Sequence, residues 1–190
     1  MTIAIIAGEP NSTSSEIIFK SWILIKKFKH KPVIIIGNYK LLNLQKKKMN
    51  FKIDIKKINE NFKVKDLYGN KIPVYNINYN QKKAFQKIST KSNKYIFESF
   101  NTAMKLVKNK KIQGFINCPI HKETLLKKKY KGITEFLSQK SGAKGNEVML
   151  IYNKELAVSP LTTHIPLSSV SSKIKKTEII KKIKIINNFY

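Results

Sequence analysis

The chain has 190 residues, enough for one ordinary domain or for one and part of another, and its 42% hydrophobic content is globular rather than disordered. Its net charge of +27 comes from lysine without a single arginine, so it lacks the side chain best suited to guanine edges and phosphate forks. One cysteine, Cys118, excludes an internal disulfide, and no run nears the roughly 18 apolar residues of a membrane span, so a cytoplasmic protein without a membrane contact is expected.

Apolar runs alternate with helical patterns along the chain, the mark of an α/β layered fold. Ile3 to Ala7 reads as a buried first strand rather than a signal peptide, because no basic residue precedes it and Gly8-Glu9-Pro10 turns the chain. Ser12 to Ser15 offer N-cap hydroxyls, with Thr13 and Glu16 at capping-box spacing, for a helix turning Ile17, Ile18, Trp22, Ile25 and Phe28 inward. Pro32 to Gly37 is a second strand apolar enough to be covered on both faces, which completes a βαβ unit. Tyr39 to Lys48 reads as a helix with Leu41, Leu42 and Leu44 on its apolar side. Short strands are expected at 51–55 and 74–77, with a turn at Tyr68-Gly69-Asn70 between them. Three- and four-residue spacing of Ala84, Phe85, Ile88, Tyr95, Ile96 and Phe100 predicts one long helix from Gln81 to Lys108. Gly114 to Asn117 is a strand, His121 to Lys127 and Thr134 to Ser141 are helices, and 148–152 with 156–161 form a hairpin turning at Asn153-Lys154. A last helix runs from about Ser168 with Ile174, Ile179, Ile183 and Ile186 on one stripe, and that pattern is still open at Tyr190.

In an open α/β sheet, ligands gather beyond the carboxyl ends of the strands. Three segments fall there. Gly8-Glu9-Pro10-Asn11-Ser12 either holds an anion on its backbone amides or is a well-capped turn, and it carries no GxGxxG and no P-loop lysine. Asn117 to Lys122 ends a strand on Pro119 and presents His121 and Lys122, either as a proton carrier and a polarising cation or as helix-start residues. Cys118 has no activating base among its neighbours and reads as structural. Leu161 to Pro166 places His164 at a strand end beside two hydroxyls, well suited to a metal, though one ligand makes no site. The remaining histidine, His30, lies in a lysine-rich turn away from the others.

The order Gly8-Glu9-Pro10, Cys118-Pro119-Ile120-His121-Lys122, Gly132-Ile133-Thr134-Glu135-Phe136 and Leu161-Thr162-Thr163-His164-Ile165-Pro166-Leu167 resembles the N-terminal half of the 4-hydroxythreonine-4-phosphate dehydrogenase family. The resemblance implies a three-layer α/β/α fold like that of isocitrate and isopropylmalate dehydrogenases, with 1–190 as the N-terminal portion, the second domain incomplete and the C-terminal half absent. It further implies a homodimer with a cleft site, oxidising the secondary alcohol of 4-phosphohydroxy-L-threonine with NAD or NADP, followed by loss of carbon dioxide, in vitamin B6 synthesis. A divalent metal (zinc, magnesium or cobalt) would grip the substrate. By this resemblance His164 matches a metal ligand and Thr134 a substrate-contacting threonine. Ile133 stands where the family usually has a histidine, and Asn11 to Ser14 replace its glycine-rich continuation. A fragment of this kind is expected not to turn over alone, and any surface meant for its second half would be exposed. Three alternatives remain open: a paralogue acting on another phosphorylated hydroxy acid, such as a four-carbon sugar-acid phosphate; a basic nucleic-acid-binding domain; and a non-catalytic remnant that dimerises or competes with a full-length copy. Lysines spread along the whole chain beside abundant Ile and Asn weigh against the second.

Overall fold

The structure, a computed structural model, describes residues 2–25, 32–126, 130 and 132–190. Phe28, His30 and Lys127 lie outside the described residues. The chain divides into two compact units, Met1–Leu125 and Leu126–Tyr190.

The first unit is built on the isoleucine runs. Strand β1 (Ile3–Ile6) lies between β2 (Val33–Gly37) and β5 (Gly114–Asn117), and with β3 (Asp54–Ile58) and β4 (Lys71–Asn76) the full order is β3-β4-β2-β1-β5 with every pairing parallel. Helix α1 (Ser14–Ile25) joins β1 to β2, so the expected βαβ unit is present. Side chains alternate across a strand, and both sets are buried here. Ile35, Ile55, Ile72 and Val74 share a core with Ile18, Phe19 and Trp22 of α1 and Leu42 of α2 (Tyr39–Lys48). Ala4, Ile6, Ile34 and Ile36, of opposite parity to Ile35, are also sealed. Helix α3 (Asn93–Lys108) packs on β1, β2 and β5, with Ile96, Phe100 and Ala103 wholly buried. Apolar strands covered on both faces make this an α/β fold with helices flanking a parallel sheet, as expected.

Several details depart from the sequence pattern. Strands β3 (Asp54–Ile58) and β4 (Lys71–Asn76) are parallel neighbours joined by a crossover with a 3-10 turn at Val64–Leu67, whose floor is the buried Phe62 and Leu67. The inward side of α2 carries Gln45 with Leu41 and Leu42, while Leu44 is exposed. Ile17 likewise faces solvent. The long helix from Gln81 is shorter than its periodicity suggests, for regular helix begins at Asn93 after a 3-10 turn at Thr90–Ser92.

The second unit starts at Leu126, the last residue of α4 (Lys122–Leu126), and contains helix α5 (Ile133–Lys140), the antiparallel hairpin β6 (Ile151–Tyr152) and β7 (Ala157–Val158), a short α6 (Val170–Lys173) and α7 (Lys176–Phe189). The hairpin turns where expected, with strands of two residues each. The last helix is broken, because Ile174 is extended between α6 and α7 and so cannot share the stripe of Ile179 and Ile183. No residue of α7 is buried. Lys182 Nζ ties this helix back to the carbonyls of Pro160 and Leu161 at 3.0 and 2.9 Å. The Glu147 carboxylate is held below its usual range: slight burial pushes it up, but the Ser138 hydroxyl, nearby backbone amides and Lys181 outweigh that.

Candidate active site at the strand ends

Parallel pairing of β1 with β5 sets Ile6 opposite Asn117, so the residues that follow each strand emerge side by side. Gly8 is what lets them meet. Its φ of +66° lies in the left-handed region, and a Cβ there would stand 2.4 Å from the Pro119 carbonyl oxygen. Beyond it, Glu9 N–H donates to Pro119 O at 2.9 Å, and Ser14 Oγ donates to the same oxygen at 3.2 Å. Two of the three segments singled out in the sequence therefore form one structure.

The turn's amides at Glu9, Asn11 and Ser12 are already paired within the protein. Asn11 N–H donates to Glu9 Oε1 at 3.1 Å, and Ser12 N–H and Oγ both donate to Glu9 O. These contacts favour the capped turn over an anion cradle, and a carboxylate at the helix start reinforces that choice. Glu9's setting was not legible in the sequence: it is fully buried, and its Oε2 accepts from Ser92 Oγ at 2.9 Å. Around it a polar network closes. Asn11 Oδ1 accepts from Gln81 Nε2 and from Gln86 N–H, and Gln45 Nε2 donates to the carbonyls of Pro10 and Ala84. The stretch 81–92 follows these side chains instead of a helical ladder, which is why the helix predicted from Gln81 starts late. The available signal was polar residues at the inward positions, Gln45 and Gln81.

His121 sits at the entry of α4 (Lys122–Leu126), where its Nδ1 lies 3.2 Å from Thr124 Oγ1 and 3.4 Å from Thr124 N. That is a capping contact, which occupies one ring nitrogen. Lys122 is exposed beside it. Cys118 is buried, and burial pushes its thiol up to about 11, so it stays protonated and unreactive at neutral pH.

Ile133, Thr134 and His164 belong to the second unit. Ile133 opens α5, half-buried, and Thr134 follows it, exposed, in the first turn. His164 is exposed with φ +56°, a conformation uncommon for a residue with a side chain and one that gathers at functional sites. A metal needs more than it offers. Among the described residues no three His, Cys, Asp or Glu side chains come together, and a catalytic zinc takes about three protein ligands. The donor set present does not complete a metal centre, and with no glycine-rich run after β1 no residue is assigned to a nicotinamide cofactor.

An all-parallel sheet covered by helices, with its polar loops at the carboxyl ends of the strands, defines an α/β protein of the kind that binds small molecules at that edge. Residues 29–190 match the family described as pyridoxal phosphate biosynthetic protein PdxA, and the chain belongs to that family. It is 33% identical over 187 residues to a 4-hydroxythreonine-4-phosphate dehydrogenase of Sulfurihydrogenibium sp., covering 97% of this chain and 56% of the relative. A protein of Oceanobacillus iheyensis with the provisional name D-threonate 4-phosphate dehydrogenase is 27% identical over 186 residues, 96% of this chain and 56% of the relative. The crystal structure of a 4-hydroxythreonine-4-phosphate dehydrogenase from Burkholderia phymatum superposes with a TM-score of 0.83 at 22% identity, over 96% of this chain and 56% of that one, a likeness of fold. The chain thus spans about half the length of the relatives it matches.

Proposed function

We propose that this chain is the N-terminal portion of a dehydrogenase that oxidises 4-phosphohydroxy-L-threonine with NAD or NADP, with loss of carbon dioxide, in pyridoxal phosphate synthesis. The observation that carries the reading is the family match across residues 29–190, which takes in Thr134 and His164. A nicotinamide, when bound, supplies the hydride acceptor. The chain's own part is binding: the exposed Thr134 hydroxyl at the start of α5 is free to hydrogen-bond a polar substrate. Ile133 beside it can offer only apolar contact. His164 is the one imidazole this unit has to offer a divalent metal (zinc, magnesium or cobalt), and further donors would have to come from elsewhere.

Calorimetric titration of the chain with 4-phosphohydroxy-L-threonine tests this. Thr134→Ala is expected to weaken binding about tenfold by removing one hydrogen bond to a charged ligand, and Ile133→His to strengthen it by a similar factor. Binding that neither substitution moves would remove the basis for the assignment. Turnover is expected to need more than this chain, so reduced nicotinamide formed by the purified chain above a His164→Ala control would overturn that part.

A second reading, a paralogue acting on D-threonate 4-phosphate, is favoured by Ile133 and by the Oceanobacillus relative's name. Preferential binding of that acid phosphate by the same chain would select it. We also infer a homodimer. Ile151, Tyr152 and Leu156 of the hairpin and Ile183 of α7 are more than half exposed, an apolar surface of the sort interfaces cover. A monomer by light scattering at micromolar concentration counts against it.

A further inference from the structure

Beyond the carboxyl ends of three adjacent strands, β3, β4 and β2, the first unit holds an open cavity of about 660 Å³. Gly37, the last residue of β2, pairs with Asn76, the last of β4, and Lys57 stands near the end of β3 one strand further out. The cavity's lining is polar and one-signed: Lys40, Lys57, Asn76, Asn78 and Asn80, with Tyr39 and Tyr79, and no carboxylate. It uses none of the residues assigned above to substrate or metal, and it does not rest on the dehydrogenase reading.

The floor is preformed. Asn38 Oδ1 accepts from Leu41 N–H and its Nδ2 donates to Ile77 O, both at 2.8 Å, while Asn76 Oδ1 accepts from Tyr39 N–H at 2.9 Å. Tyr79 is stacked on the buried Tyr95, with ring centroids 4.8 Å apart, which fixes one wall. The cations, by contrast, have no acidic partner: Lys40 and Lys57 are exposed and enter no ion pair among the described residues. Glu60, two residues past β3, is occupied by the Tyr75 hydroxyl and Lys105. Lys40 also sits in the first turn of α2, which has no acidic residue, so its charge opposes the positive end of the helix dipole. An anion in the cavity offsets that repulsion and gives both lysines of the lining a counter-charge. A bare phosphate would leave most of this volume to solvent, and the asparagine amides and tyrosine rings are groups that recognise an organic remainder.

We propose that this cavity binds a small organic phosphate, with Lys40 and Lys57 on the phosphate and Asn78, Asn80 and the tyrosines on the rest. The test is isothermal titration of the 190-residue chain, at about 150 mM salt to screen loose surface attraction, with adenosine 5′-monophosphate, ribose 5-phosphate, inorganic phosphate and adenosine. Saturable one-to-one binding of a phosphate ester is expected, weakened about tenfold or more by the double substitution Lys40→Gln, Lys57→Gln. The pair Lys47→Gln, Lys48→Gln removes the same charge at the other end of α2 and is expected to change it by less than about twofold. Binding of the nucleotide alone identifies a base-reading site, and binding of both esters a sugar-phosphate site; either supports the proposal. It is overturned if no ester binds saturably, if inorganic phosphate or adenosine binds as tightly, or if the two double variants weaken binding equally.

Discussion

Alanine in place of Gly8 is expected to lower the unfolding midpoint by about 6–12 °C. Two costs combine. A side chain at φ +66° costs about 1–2 kcal/mol for the left-handed backbone alone. The new Cβ would also meet the Pro119 and Cys118 carbonyl oxygens at 2.4 and 2.9 Å, and these are backbone atoms that no rotamer change can move. Forcing the ends of β1 and β5 apart adds an overpacking cost of about 1–3 kcal/mol. A total near 3 kcal/mol corresponds to the stated fall for a chain of this size, at about 2–4 °C per kcal/mol. Gly69→Ala is the control: its φ is +106° but no atom lies within 4 Å of the added Cβ, so only the backbone cost applies. A Gly8→Ala midpoint no lower than that of Gly69→Ala would show that the close approach of the two strand ends does not exist in solution. Because the Glu9 and Ser14 bonds to Pro119 depend on that approach, such a result would also dissolve the candidate site.

The parts of this architecture legible in the sequence are those fixed by local pattern. Val33 to Gly37 is too continuously apolar to be anything but a covered strand, and Trp22 with Ile18 and Phe19 marks the face of α1 that covers it. Gly8-Glu9-Pro10 and Cys118-Pro119 were each legible as strand ends, although their meeting was not. What could not be read was any position whose choice rests on a partner far away in sequence. Gln45 is buried because Pro10 and Ala84 present carbonyls to it, and Leu44, one residue earlier, gives way. Residues 81–88 have helical spacing and no Gly or Pro to break it, yet hydrogen bonds from Gln81 and Gln86 to Asn11 outweigh a propensity worth only tenths of a kcal/mol per residue. His164 stood out in the sequence as a candidate metal ligand, but the described residues gather no metal cluster around it, and Ile133 and Thr134 were found through family resemblance alone, since their spacing implied no site.

The bonds from Gln81 and Gln86 to Asn11 lead back to Glu9, which holds the Asn11 amide. The chain's ion pairs among the described residues, Glu16 with Lys20 and Glu60 with Lys105, are exposed and contribute little, whereas the one fully buried carboxylate is held by hydrogen bonds from Asn11 and Ser92. Glu9 fixes Asn11, and Asn11 in turn fixes Gln81 and Gln86. Glu9→Ala is therefore expected to cost about 3 kcal/mol: the Asn11 amide loses a charge-assisted acceptor worth about 1.5–3 kcal/mol, and a cavity opens beneath the turn. Ser92 keeps its bond to the Ser89 carbonyl, which limits the loss. Glu9→Gln preserves volume and one acceptor and should cost about 1 kcal/mol. The sharper readout is local. With Asn11 released, the irregular stretch 81–92 loses its anchor, and trypsin should cut after Lys82, Lys83 and Lys87 at least about tenfold faster in Glu9→Ala than in the parent, since cleavage follows the open population. Equal cleavage rates, even alongside a lowered midpoint, would mean that Glu9 supports the core in general and does not organise this segment. Faster cleavage confined to it would establish that one buried carboxylate, read in the sequence as part of a turn, holds the edge of the candidate site together.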